Sequence, residues 1–165
     1  MPPRQPLPID EVLPEIVAAL ATHSSLVLRA ATGAGKTTRV PLALLEHGLS
    51  NDRKIVVLEP RRVAARAAAA RMAAELGDGL GNTVGYRVRF DRCIGPRTRI
   101  EVVTDGVFLQ QLQRDPFLDD VGIVIFDELH ERSVDAELAI ALVRKVMREA
   151  RDDLRVVAMS ATLDA

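Results

Sequence analysis

Ala30-Ala31-Thr32-Gly33-Ala34-Gly35-Lys36-Thr37 is a run of small residues closed by a lysine and a hydroxyl, which is what phosphate chemistry asks of a loop. Small residues let the backbone approach an anion closely, successive N–H groups can point inward, and a helix starting at the lysine adds partial positive charge. Leu26-Val27-Leu28 before the loop is a short apolar run, and Val40, Leu42, Leu44 and Leu45 after it form a helical pattern. Strand, loop and helix therefore follow in the order that G-x-x-x-x-G-K-[ST] requires. The first glycine of that pattern falls on Ala30, where a strand end with ordinary φ needs no glycine. Thr32, Gly33, Ala34, Gly35, Lys36, Thr37 and Thr38 are thus the expected phosphate-binding residues of a nucleoside triphosphate site. Lys36 is expected to reach the β- and γ-phosphates and Thr37 to offer its hydroxyl to Mg²⁺. A glycine-rich turn followed by a surface lysine is the plainer reading, and the flanking strand and helix weigh against it.

A second group of residues has complementary chemistry. Val121 to Phe126 is a continuous apolar run, the pattern of a strand buried on both faces, and it ends in Asp127-Glu128. Two acids at the end of a buried strand are costly unless used. Asp127 is expected to hold hydrated Mg²⁺, and Glu128 to orient and deprotonate a water for in-line attack on the γ-phosphate. His130 follows in Asp127-Glu128-Leu129-His130; it is either a loop histidine bonded to the backbone or a coupling residue. Pro60-Arg61-Arg62 and Ser160-Ala161-Thr162 also close apolar runs, and the ends of parallel strands are where open α/β sheets gather ligands.

The elements that must position these residues are legible as βα alternation. Strands are expected at Ile55–Leu58, Thr83–Val88, Ile100–Val103, Ile123–Phe126 and Val156–Met159, and helices at Val63–Leu76, Gly106–Arg114 and Val134–Glu149. Asp10 is expected to cap a first helix with the stripe Leu13, Ile16, Val17 and Leu20, Pro14 falling near its start. Gly77 to Asn82 is a turn-rich break. The fold class this predicts is α/β, a mainly parallel sheet sandwiched between helices. At 165 residues, 48% hydrophobic, the chain can bury one core, so residues 1–165 are expected to form a single domain with a short Pro-rich segment at 1–8. No run reaches the length of a membrane span and the first six residues lack an apolar signal region, which predicts a cytoplasmic protein without a membrane partner. Cys93 is the one cysteine, so its default role is packing.

The net charge of −1 announces no global attraction to nucleic acid. Local cations do occur: Arg61 and Arg62 at a strand end, and Arg87, Arg89, Arg92, Arg97 and Arg99 with Asp91 read as the one acid opposing them. Alternation puts Arg87 and Arg89 on one face and leaves Val88 and Phe90 for the core. From the residues alone, a charged solvated edge strand is favoured over a nucleic-acid surface.

Asp127-Glu128-Leu129-His130-Glu131-Arg132-Ser133 resembles the DEAH-box signature of superfamily 2 RNA helicases, with Leu129 where alanine is usual. Pro60 to Ala65 is similar to motif Ia of that family, Thr104-Asp105-Gly106 to motif Ib, Ser160-Ala161-Thr162 to motif III, and Val84 to Phe90 to a further characteristic stretch. Ala31 to Leu42 most resembles the bacterial HrpB-type branch. The resemblance implies a RecA-like P-loop domain that binds ATP or ADP with Mg²⁺ and couples hydrolysis to translocation on, or unwinding of, RNA, with DNA as the second candidate. It implies catalytic roles for Lys36, Asp127 and Glu128, coupling roles for His130, Ser160 and Thr162, and single-strand contacts from Arg61, Thr104, Asp105 and Gly106. Arg71 matches an arginine that stacks on adenine in the family, against the alternative of a solvent-facing helix arginine. A second RecA-like domain of the same parent chain is the implied partner, and the isolated domain is expected to be monomeric and a poor hydrolase. A signalling GTPase is excluded by the lack of a late Asn/Thr-Lys-x-Asp element. The other alternative is a nucleotide-dependent switch without productive unwinding, which has no need of Glu128.

Overall fold

The computed structural model describes residues 3–161. Its strands are β1 (Ser25–Arg29), β2 (Lys54–Glu59), β3 (Val84–Val88), β4 (Asp91–Cys93), β5 (Ile100–Thr104), β6 (Val121–Phe126) and β7 (Arg155–Ser160). The helices are α1 (Leu13–Thr22), α2 (Lys36–Glu46), α3 (Arg62–Leu76), α4 (Asp105–Arg114) and α5 (Val134–Glu149), with a 3-10 turn over Pro8–Glu11 and another over Leu129–Glu131. The sheet runs β1-β7-β6-β2-β5-β3-β4. Every pairing is parallel except β3 with β4, so β1, β2, β5, β6 and β7 deliver their C-terminal residues to one edge. Each of the expected strands is present there.

Two-residue alternation splits the central strands between two cores. Ile55, Val57, Ile123 and Ile125 face Leu20, Leu42, Leu44, Ala69 and Met72 of α1, α2 and α3. Val56, Leu58, Val124 and Phe126 face Phe108, Leu112, Ala139 and Val143 of α4 and α5. Fully burying one such aliphatic or aromatic side chain contributes about 1.5–3 kcal/mol, and with both faces covered the central strands read as unbroken apolar runs. Helix α5 begins where its side-chain chemistry says it should, because Ser133 Oγ accepts from Ala136 N at 2.9 Å and caps it.

Three expectations are corrected. Asp10 caps no α-helix: α1 starts one turn later behind Val12 with no side-chain cap. Instead the Asp10 carboxylate accepts from Leu7 N at 2.8 Å and from Arg39 Nη1 at 2.7 Å. These bonds hold its carboxyl below the usual carboxylate range, overcoming an opposing push from burial. The stripe itself stands, with Ile16 and Leu20 buried and Leu13 and Val17 packed against the core. Second, β3 is not the sheet edge; the short β4 covers it, and Phe90 lies in the turn between them at φ 65°, 90% exposed rather than in the core. Third, Asp91 is not the only acid opposing the arginines. Buried Glu101 pairs with Lys54 at 2.7 Å and lies 3.8 Å from Arg87, while Asp91 pairs with Arg66 at 3.0 Å.

Candidate nucleotide site and nucleic-acid face

The loop between β1 and α2 turns through two glycines in the left-handed region, Gly33 at φ 83° and Gly35 at φ 97°. Only glycine enters this region without strain. Ala30 has no positive φ, consistent with the loss of a glycine there. Space restricts Gly35 as well: a Cβ on it would stand 2.6 Å from Leu7 Cδ1. The N-terminal segment lies against the loop, and Ile9 N donates to Ala34 O at 3.0 Å. That segment is pinned by Arg39, which donates to Gln5 O, Asp10 and Glu75 at 2.7–2.9 Å.

Parallel topology then brings the acids of β6 to the loop. Thr37 Oγ1 donates to Asp127 Oδ2 at 2.6 Å, and Lys36 Nζ is 3.5 Å from Glu128 Oε1. Lys36 is 3% exposed and Asp127 5%, so this lysine is not a surface residue. Asp127 is fixed on both sides: its N–H donates to Leu58 O at 3.0 Å and its Oδ1 accepts from Glu128 N at 2.9 Å. Glu128 has φ 54°, a strained value for a non-glycine residue, which turns its side chain out of the strand direction. Its second oxygen, Oε2, is 3.1 Å from His130 Nε2. On the other side of that ring, Nδ1 accepts from Ala161 N at 3.4 Å and lies 3.2 Å from Ser160 Oγ. An accepting Nδ1 places the ring proton on Nε2, facing Glu128. Lys36, Glu128, His130 and Ser160 thus form a continuous polar chain from the loop to the end of β7. Thr162 lies outside the described residues.

Sequence reasoning missed one member of this group. Glu59, the last residue of β2, is 2% exposed, and its Oε1 is buried without a hydrogen-bond partner among the described residues. Burial pushes its carboxyl well above the carboxylate range, helped by the neighbouring Asp127 carboxylate and by the charge of Glu128, with Lys36 opposing. The signal was available: alternation from Ile55 and Val57 places Glu59 on the same buried face. The convergent donors are hydroxyl and carboxylate oxygens, the hard set that Mg²⁺ takes; Thr37 and Asp127 fit such an ion.

The second cluster lies farther along the same edge. Thr104 precedes α4, and Asp105 and Gly106 open it. Asp105 is buried, and its Oδ2 accepts from Ser133 Oγ at 2.9 Å. Burial raises its pKa, with Asp135 and Glu131 adding to the push and Ser133 opposing it. Its carboxylate therefore faces the Asp127–Ser133 loop rather than solvent. Arg61 immediately precedes α3, its side chain 70% exposed, with Nη2 2.7 Å from Glu131 Oε1. Arg71 is exposed on α3 and lines a cleft of about 300 Å³ with Gln5, Leu7, Arg39 and Glu75. Leu7 also packs at Gly35, so this cleft adjoins the phosphate loop.

The DEAD/DEAH box helicase model matches residues 10–165. This chain belongs to the DEAD/DEAH box helicase family. It is 54% identical over 158 residues to the ATP-dependent RNA helicase HrpB of Escherichia coli (strain K12), covering 96% of this chain and 19% of that protein. A homolog of the ATP-dependent RNA helicase HrpA from Haemophilus influenzae is 40% identical over the same share of this chain, which covers 12% of it. The crystal structure of the E. coli DEAH/RHA helicase HrpB superposes with a TM-score of 0.91 at 53% identity, over 97% of this chain and 20% of that one. The likeness carries the RecA-like fold with it. The chain spans about a fifth or less of the length of these relatives. Among the described residues, no helix is long and apolar enough to cross a membrane.

Proposed function

We propose that this chain is the ATP-binding domain of a DEAH-type motor that couples ATP hydrolysis to movement on single-stranded RNA, with DNA as the second candidate. The observation that carries the reading is the meeting of Lys36, Thr37, Asp127 and Glu128 at one sheet edge, with Thr37 and Asp127 2.6 Å apart and Lys36 and Glu128 3.5 Å apart. The residues 32–38 cradle the phosphates, Lys36 reaches the β- and γ-phosphates, and Arg71 stacks on the base. Thr37 and, through water, Asp127 would hold Mg²⁺, which would supply charge neutralisation on the phosphates. Glu128 orients and deprotonates the attacking water. His130 relays the state of Glu128 to Ser160, along the polar chain described above, and with Thr162 this forms the coupling element. Arg61, Thr104, Gly106 and the backbone of Asp105, whose carboxylate is turned inward onto Ser133, form the strand-facing edge, where a few donors suffice for sugar-phosphate contacts.

The relatives' names, which give them as ATP-dependent RNA helicases, support this reading. So does their length, which leaves room for a second RecA-like domain. Such a domain would supply an arginine finger, worth about 10³ to 10⁵ in rate, to γ-phosphate oxygens that this domain covers from one side. The chain alone is accordingly a poor hydrolase in the cytoplasm and in vitro. A binding switch without catalysis is disfavoured by Glu128, an acid that such a switch does not require. The test is RNA-stimulated ATP turnover of this chain against a version extended through the second domain. Large stimulation is expected in the extended version alone; comparable rates in both overturn the half-motor reading.

A further inference from the structure

Arg61 is the exposed cation that the strand-binding reading relies on, yet its guanidinium is already engaged, 2.7 Å from Glu131 Oε1. Glu131 closes the short turn Leu129–Glu131, and its N–H donates to Glu128 O at 2.9 Å. Its carboxylate lies within 4.8 Å of the ligating atoms of Glu128 and His130, and its charge bears on buried Asp105. Glu131 therefore stands where three elements meet: the start of α3 through Arg61, the start of α4 through Asp105, and the catalytic turn. It is an acid among acids, and Arg61 is the cation paired with it.

A carboxylate and a phosphodiester present the same thing to a guanidinium: two oxygens sharing one negative charge, in a geometry suited to paired N–H donation. An exposed ion pair of this kind contributes little net stability, so a phosphate can replace the carboxylate if it brings further contacts. We propose that Glu131 is a stand-in for backbone phosphate, occupying Arg61 until a nucleic-acid strand displaces it. The inference rests on the reading of Arg61 as a strand contact. Displacement breaks the side-chain tie between the start of α3 and the turn that carries His130 next to Glu128. It also sets a threshold: an isolated anion gains one contact and must expel a carboxylate, whereas a strand brings neighbouring phosphates to the Thr104–Gly106 end of β5.

The test is a double-mutant cycle on this chain, titrated into fluorescein-labelled oligouridylate and read by anisotropy at low salt. Arg61→Ala is expected to weaken binding several-fold and to lower the salt slope by about one. Glu131→Gln is expected to tighten binding about three- to ten-fold, and in the Arg61→Ala background to change nothing. Three results overturn the proposal, and they are distinguishable. If Glu131→Gln tightens binding equally in both backgrounds, Glu131 is only a diffuse repulsive charge. If Arg61→Ala weakens binding but Glu131→Gln has no effect, the strand contact stands and the stand-in does not. If Arg61→Ala leaves affinity and salt slope unchanged, the strand contact itself is wrong, and the inference falls with it. Glu131→Ala, expected to behave as Glu131→Gln does, separates loss of the charge from any new contact made by the amide.

Discussion

The two ends of the functional edge are built by different rules. At the phosphate end, Lys36, Asp127 and Glu59 are each at most 5% exposed, and Thr37 and Asp127 are bonded to each other. At the strand end, Arg61 is 70% exposed and, among the described residues, held by a single ion pair. The first end is rigid before any ligand arrives, as catalysis by positioning and electrostatics requires. The second keeps its cation at the surface on a replaceable partner. Mutations at the first should act on chemistry and stability in large steps; those at the second should act on affinity in small ones.

The largest effect is expected from Glu128→Gln. The amide keeps the shape but cannot accept a proton, so turnover by the two-domain protein should fall by about 10² to 10⁴ while nucleotide binding persists. Steady-state kinetics beside a binding titration checks this, and normal turnover would place the base elsewhere.

Next come the two glycines of the loop, which separate backbone strain from crowding. Both have positive φ, but among the described residues a Cβ on Gly33 meets nothing within 4 Å whereas one on Gly35 meets Leu7 at 2.6 Å. Each alanine variant should lose about 1–3 kcal/mol from strain, with Gly35→Ala the worse because the N-terminal segment must also shift. Urea unfolding of the two variants gives the order; equal losses would mean that the segment yields freely.

The chain of apolar runs made the rigid end readable. Ile55–Leu58 and Ile123–Phe126 announce buried parallel strands, and parallel strands necessarily bring Lys36 and Asp127 to one edge. Glu59 escaped because an acid after Leu58 looks like the polar start of a loop, although alternation from Ile55 and Val57 puts it on the buried face. β4 escaped because Asp91-Arg92-Cys93 is three residues long with no apolar period, and the misreading of Phe90 followed from extending β3 through the turn. Asp10 was read as a cap from its position before a helical stripe, but its partner, Arg39, is 29 residues away. Such long-range pairings, like Arg61 with Glu131, leave no local pattern.

An effect of comparable size, but dependent on pH, tests Glu59. Its folded pKa is raised above its ordinary value of 4.5, so the native state keeps a proton that the unfolded chain releases. That stability is complete below about pH 4.5 and is lost as pH rises toward the folded pKa, by up to about 1.4 kcal/mol per pH unit. Glu59→Gln should remove this slope in metal-free buffer. Urea melts at pH 5 and pH 8 check it, and an unchanged slope would mean that Glu59 is ionised in the native state.

The smallest effect on chemistry should come from Arg61→Ala in the two-domain protein: basal hydrolysis within about two-fold of the parent, with the RNA concentration for half-stimulation raised several-fold. A large loss of basal turnover would erase the distinction between the two ends.

The central claim is that Lys36, buried beside Glu128, is a phosphate ligand. Calorimetric titration of Mg–ADP into this chain and its Lys36→Ala variant tests it directly. Measurable binding to the parent is expected, with an affinity about ten- to a hundred-fold lower in the variant, the worth of a charge-assisted bond to phosphate. Equal affinity in the two would contradict it.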